Sequence, residues 1–111
     1  MIQVTIVRRP SDGAIDSFRI EGHAEYDVPG KDLVCAAVSA ISVGTVNAVE
    51  AVAGVVLPCE MEVGLLDALV PLDLDSEQAA RVQVILESMV VMLETIETSY
   101  SAYIHIHTEG G

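Results

Sequence analysis

The longest uncharged run in this chain, residues 33–49, constrains its fold more than any other feature. Its 17 residues lie between Asp32, a favourable N-cap, and Glu50, and Gly54 is a favourable residue to end a helix. A helix of about 20 residues is therefore predicted. Seventeen residues are at the short end for a membrane span, and both flanks are mainly acidic, so no positively charged anchor is evident. We therefore expect a core helix of a small domain, covered on several sides.

The segments around this helix show both the alternation typical of strands and the spacing typical of helices. Apolar and polar side chains alternate in several short segments, which is typical of strands with one buried face. In the C-terminal half, apolar side chains recur at helical spacing after Asp75, which forms a capping-box pattern with Gln78. In chain order, the sequence predicts strands over residues 2–8 and 14–22, the helix that begins after Asp32, strands over 59–65 and 70–74, a helix over 76–98 and a strand over 102–108.

The order β-β-α-β-β-α-β predicts an α+β fold with a single mixed or antiparallel sheet and two helices. We expect one domain over residues 1–111, because this length suffices for one core and no linker or repeat interrupts it. Pro71 cannot donate to a sheet ladder, so the strand over 70–74 is expected at an edge. Cys59 alternates with Met61 and Val63, so its thiol is expected to face the core.

The charge balance excludes one large class of partner. Seventeen acidic residues against five basic ones give a formal net charge of -12. Phosphate-backbone binding depends on Lys and Arg, so nucleic acid is not expected as a partner, and an anionic membrane surface would repel the chain. A basic protein would be attracted. No signal segment opens the chain, so we expect a cytoplasmic protein with Cys35 and Cys59 as reduced thiols.

A histidine and a cysteine lie twelve positions apart, with a glycine-bearing loop between them. Cys35 falls in the first turn of the predicted helix, where the helix dipole favours a thiolate, and His23 ends a strand just before the loop of residues 24–31. If the loop folds back, His23 can take the thiol proton and return it to a leaving amine. The unpaired N–H groups of the first turn can then form an oxyanion hole. The spacing alone favours a buried, unreactive Cys35 and a surface His23, because a Cys and a His in one chain need not be in contact.

Asp32 and Ser39 are candidate supporting residues. Ser39 lies one turn beyond Cys35 on the same face of the helix, where it can orient His23 or contact a substrate. Asp32 can cap the helix through the amide of Val34 or Cys35, or it can orient His23. The sequence leaves these roles open.

The residues around this pair resemble the signature of the ribosomal-processing cysteine protease (Prp) family. That signature is a Gly-His-Ala step, a short glycine-bearing loop and the pattern Gly-x-Asp-[aliphatic]-Val-Cys-Ala-Ala-[aliphatic]-Ser. This chain carries it in residues 22–24 and 30–39, with Leu33 where isoleucine is common. The resemblance implies a cysteine endopeptidase, without a cofactor, that removes the N-terminal extension of large-subunit ribosomal protein twenty-seven during ribosome assembly. It also implies a homodimer.

The same resemblance implies roles for individual residues. Cys35 would be the nucleophile and His23 the general base and acid, while Asp32 and Ser39 would be site residues with less defined roles. Two glycines of the signature, Gly22 and Gly30, would let the segment between them move. Residues 24–31 would then form a lid over an extended peptide. An ordinary flexible surface loop is the alternative for that segment.

Other functions remain open at the level of sequence. A non-catalytic, dimeric acidic module that binds a basic ribosomal or assembly factor fits the net charge of -12. Redox sensing at Cys35 would need a resolving cysteine, and Cys59 is expected to be buried. His105 and His107 share one strand face, but a metal site is not expected because no third ligand lies close in sequence.

Overall fold

The computed structural model describes residues 1–28 and 32–111. Gly30, one of the candidate site residues, lies outside the described residues, as do two other positions of the expected lid, 29 and 31. In chain order, the elements are β1 (Ile2–Arg8), β2 (Ile15–Glu21), α1 (Leu33–Ala48) with a π-helical extension (Val49–Ala53), β3 (Cys59–Glu62), β4 (Leu65–Leu69), α2 (Ser76–Ser99) and β5 (Ile104–Gly110).

The five strands form one mixed sheet in the order β3-β4-β2-β1-β5. Neighbouring strands are antiparallel except β1 and β5, which run parallel. The α+β fold with the order β-β-α-β-β-α-β is thus confirmed. Both predicted helix starts are confirmed as well, since the side chain of Asp32 caps α1 and that of Asp75 caps α2. Gly54 ends the first helical segment in a left-handed conformation, with φ +69°.

One face of the sheet carries the core. Paired residues of neighbouring strands such as Val4 with Ile20 and Ile6 with Phe18 point to the same side and are buried. The buried side chains of α2, among them Leu86 and Met89, belong to the same apolar cluster, so the helices cover this one face. The opposite face carries polar side chains and is open to solvent, which makes a two-layer domain.

The expected boundaries of the third and fourth strands are wrong. The expected strand over residues 59–65 is two strands, β3 and β4, joined by a tight turn at Val63 and Gly64. The alternation of side chains continues through this two-residue turn, which is why the sequence pattern conceals it. The expected strand over 70–74 is not formed, so Pro71 lies beyond β4, and β4 itself is interior.

Cys59 is exposed, contrary to the expectation of a core-facing thiol. It pairs with Ala68, a core residue, so its side chain does point to the helical side of the sheet. However, β3 is the edge strand, and all four of its residues are exposed. The thiol is therefore exposed because its strand lies at the edge of the sheet, although its side chain points to the helical side.

The first helix is less covered than expected. Its buried residues are Val34, Val38, Ser42 and Thr45, which form a single stripe, while Ala40 and other residues of the opposite side are exposed. By length and composition alone, the stretch Leu33–Ala53 could cross a membrane, a criterion that core helices of soluble proteins also meet. Its buried stripe packs into the core of the domain.

Candidate active site

Two adjoining cavities open beside the N-terminus of α1. Four residues line both of them, so they form one continuous cleft: His23, Cys35, Ser39 and Val63. The inner cavity, of about 300 Å³, lies between α1 and the β3–β4 turn, and the outer cavity, of about 720 Å³, is bordered by residues of the segment after β2. The fold thus brings the predicted histidine and cysteine to one cleft.

Cys35 is placed by the start of α1. The helix begins at Leu33, and the thiol is half-buried at the base of the cleft. The Asp32 side chain accepts hydrogen bonds from the amides of Val34 and Cys35, both at 3.0 Å to the same oxygen, Oδ1. These two amides are therefore engaged by the cap and are not free to serve as oxyanion donors in this structure.

Asp32 also ties the preceding loop to the helix. Its second oxygen, Oδ2, accepts from the amide of Tyr26 at 3.0 Å. Removal from solvent raises the pKa of the Asp32 carboxyl, but amide hydrogen bonds from Cys35, Tyr26 and Asp27 outweigh this effect and leave the pKa below its usual value. Asp32 therefore acts as a helix cap and as an anchor of the loop in this structure.

The sulfur of Cys35 accepts a hydrogen bond from the backbone. The amide of Ala24, the residue after His23, donates to Cys35 Sγ at 3.2 Å. Ala24 itself is 3% exposed and belongs to the core, so this donor is held in a fixed place. The amide therefore contacts the sulfur from a rigid part of the fold.

His23 is placed by two glycines. Gly22, with φ +93°, ends β2 where a side chain would collide with the carbonyl oxygen of Met1, at 2.5 Å from a Cβ. The Gly22 amide donates to the carbonyl oxygen of Gly64 at 2.9 Å, so the turn after β3 lies against the end of β2. The imidazole ring packs on Gly64, and it is exposed on its other side to the cleft.

The remaining candidate residues have less defined surroundings. Ser39 is exposed and lines both cavities, and across residues 1–28 and 32–111 its hydroxyl makes no hydrogen bond with His23. No hydrogen bond joins the imidazole of His23 to the thiol of Cys35 within that same part of the chain. Catalytic hydrogen bonds are often long or absent before substrate binds.

Sequence reasoning missed the wall opposite Cys35. Residues 61–66 line the inner cavity, and Gly64 contacts the imidazole ring. An isolated glycine inside a strand pattern indicates a bulge or a close approach of backbone, and Gly64 is such a residue. The sequence could not say which group approaches it, because the contact depends on the pairing of β2 with β4.

The other histidines belong to a different region. His105 and His107 are exposed on β5 and lie near Glu97 and Glu109, with N···O distances of 3.8 and 3.5 Å. Over the residues that the structure describes, no group of three or more His, Cys, Asp or Glu side chains is placed to hold a metal ion. Both cysteines are free thiols.

Comparison with known proteins identifies the family. The profile described as Cysteine protease Prp matches residues 1–105. Ribosomal processing cysteine protease Prp of Bacillus subtilis (strain 168) is 42% identical over 110 residues, which cover 97% of each chain. The crystal structure of Prp from S. aureus with a covalently linked product peptide has a TM-score of 0.87 at 29% identity and covers 98% of this chain and 100% of that one. The same enzyme with a substrate peptide has a TM-score of 0.82 at 27% identity, with the same coverage. The chain therefore belongs to the Prp family of ribosomal processing cysteine proteases.

Proposed function

We propose that this protein is a cytoplasmic endopeptidase that removes the N-terminal extension of large-subunit ribosomal protein twenty-seven, with Cys35 as nucleophile and His23 as general base and acid. The observation that carries the proposal is the cleft that both side chains line, in which an amide already donates to the Cys35 sulfur. The covalently linked product peptide in the S. aureus relative supports a covalent mechanism.

The reaction begins with transfer of the thiol proton from Cys35 to the imidazole of His23. The thiolate attacks the scissile carbonyl carbon, which forms a C–S bond and a tetrahedral intermediate. That intermediate collapses to a thioester when the amine leaves with the proton held by the imidazolium. A water then attacks the thioester and gives one proton to His23, which forms a second tetrahedral intermediate. As this intermediate collapses, the C–S bond breaks and the imidazolium returns its proton to the sulfur, while the acid product loses its remaining proton to solvent as the carboxylate.

The geometry of the resting site leaves one adjustment for substrate binding. His23 and Cys35 line the same cleft without a mutual hydrogen bond, so we expect the peptide to bring the imidazole within reach of the sulfur. His23 is exposed and is backed by Gly64, so its ring has room to move toward the cleft. This arrangement favours transfer of the thiol proton to His23 after, rather than before, the peptide is bound.

The cleft suits an extended peptide of basic charge. Its lining includes the acidic side chains of Glu25, Asp27 and Glu62, and the chain as a whole carries a net charge of -12. Ribosomal proteins are basic, so their encounter with this surface is favoured. The apolar side chains of Met61 and Val63 offer contact surface for the residues beside the scissile bond.

The decisive experiment is incubation of the purified protein with the extended ribosomal protein of the same organism, followed by mass spectrometry of the products. We expect one cut near the N-terminus, abolished by Cys35→Ala and by His23→Ala. Cys59→Ser is the matched control, because this second thiol is exposed at the sheet edge away from the cleft, and it should cleave normally. Cleavage that survives Cys35→Ala would refute the nucleophile, and cleavage that survives His23→Ala would refute the base.

A further inference from the structure

The three tyrosines of this chain meet at one point beside the active site. The ring of Tyr26 lies 5.7 Å from that of Tyr100 at an interplanar angle of 88°, and 5.1 Å from that of Tyr103 at 79°. Both are edge-to-face contacts, the geometry that aromatic rings prefer. We call these three rings the tyrosine clamp.

Two members of the tyrosine clamp form a fixed platform. Tyr100 ends α2 and donates its amide to the Ile96 carbonyl oxygen at 2.8 Å, and the amide of Tyr103 donates to the Tyr100 carbonyl oxygen at 2.9 Å. The carbonyl oxygen of Tyr103 accepts from Ile2, at the start of β1, at 2.8 Å. Both rings pack against the core. The platform is therefore held by backbone hydrogen bonds to α2 and β1 and by contact with the core.

The third member belongs to the loop that contacts the nucleophile. Tyr26 lies two residues after Ala24, whose amide donates to Cys35 Sγ. Between them, Glu25 has φ +58° and is the one non-glycine residue with positive φ across the residues that the structure describes. A left-handed glutamate is strained and persists only where its neighbours are held on both sides. Here the anchors are buried Ala24 on one side and the tyrosine clamp, together with the Asp32 bond to Tyr26, on the other.

We propose that Tyr26 is a positioning residue that, through the tyrosine clamp, holds the backbone of residues 24–26 so that the Ala24 amide stays directed at the Cys35 sulfur. The clamp thereby links the C-terminal end of α2 to the reacting thiol. This role rests on the proposed function, in which Cys35 is the nucleophile. Tyr26 does not act on the substrate itself, because its ring packs against the platform and lines neither cavity of the cleft.

The test compares Tyr26→Leu with Tyr26→Phe, which keeps the ring and loses only the hydroxyl. Val28→Ala is the matched control, since Val28 is an exposed residue of the same loop. Amide hydrogen exchange measured by NMR on the free protein reports directly on the Ala24 donor. We expect exchange at Ala24 to accelerate about tenfold in Tyr26→Leu, the scale of two lost aromatic contacts, and to stay near the wild-type rate in the other two variants. Tyr103→Leu removes one of the two contacts and should accelerate exchange by a smaller factor, about threefold.

Peptide cleavage supplies the second readout. We expect kcat to fall about tenfold in Tyr26→Leu with little change in KM, and to be retained in Tyr26→Phe. Unchanged Ala24 exchange in Tyr26→Leu, or an equal acceleration in Val28→Ala, would overturn the clamp. Unchanged kcat despite faster exchange would overturn its role in catalysis. If the wild-type protein cleaves no peptide, the proposed protease function fails, whereas the exchange measurement still decides whether the clamp holds the donor.

Discussion

Gly64 lies so close to His23 that a Cβ atom at this position would be 2.8 Å from Nε2 of the imidazole ring. The turn between β3 and β4 therefore supports the proposed general base from behind. Glycine is required here for two reasons. A Cβ would collide with the imidazole, and φ at Gly64 is +76°, a left-handed conformation. In the sequence Gly64 looks like an ordinary turn glycine, but in the structure it forms part of the wall of the candidate active site.

Gly64→Ala should displace the imidazole and reduce activity. The added methyl group would move the ring by a few tenths of an ångström, and misplacement on this scale should lower kcat/KM by about tenfold to a hundredfold. The left-handed backbone adds a loss of about 1 kcal/mol in the free energy of unfolding. Peptide cleavage and urea denaturation measure the two effects separately.

Gly13→Ala is the matched control for that change. Gly13 has nearly the same backbone angle, φ +73°, but nothing lies within 4 Å of a Cβ placed there. It should lose similar stability and keep its activity. Equal activity in the two variants would contradict a role for Gly64 in positioning His23.

Asp32→Asn should make stability less dependent on pH. The asparagine keeps one capping oxygen but turns an amide donor toward the N–H of Tyr26, so we expect a lower melting temperature at pH 7. In the folded wild-type protein the pKa of Asp32 lies below its ordinary value, about 3.9 in an unfolded chain. Its stabilisation is therefore fully present above that value and is lost as the pH falls through the folded pKa.

Melting curves over a range of acidic pH values measure this effect. The two proteins should differ most near neutral pH, and the difference should shrink as the solution is acidified below about pH 4. A difference that stays constant down to pH 2 would show that the charge of Asp32 contributes nothing beyond the cap itself.

Cleavage of a basic substrate should weaken as salt is added. The chain carries a net charge of -12, and acidic side chains such as Glu62 border the cleft. Raising NaCl from about 0.05 M to about 0.5 M should lower kcat/KM by about tenfold, while kcat changes less than about twofold, because screening affects encounter and not chemistry. Steady-state kinetics with the full ribosomal protein check this, and a peptide substrate of neutral charge should show a much smaller effect.

We expect the exposed sides of α1 and α2 to form the contact of a homodimer. A groove of about 390 Å³ lies between these helices, and Val84 and Met92 on its rim are exposed. Apolar patches of this kind mark protein contacts. Val84→Glu should convert a dimer to a monomer in sedimentation velocity. Leu72→Glu, at another exposed apolar residue, should leave the dimer intact, and a wild-type monomer would contradict this prediction.

Local patterns in the sequence determined most of the secondary structure and the candidate pair of catalytic residues. The alternation in β1 and β2 identified their buried faces, and the caps at Asp32 and Asp75 identified both helix starts. These signals work because each depends on interactions among residues a few positions apart. The motif around His23 and Cys35 is local in the same sense, since only twelve positions separate the two.

Only the tertiary structure decided how the site is supported. His23 meets Gly64 because β2 pairs with β4, and Tyr26 meets Tyr100 and Tyr103 because the C-terminal turn returns to β1. Cys59 points to the helical side of the sheet but is exposed because its strand is at the edge. Such contacts join segments far apart in the chain, and their register is set by packing and strand pairing, which side-chain periodicity within one segment does not encode.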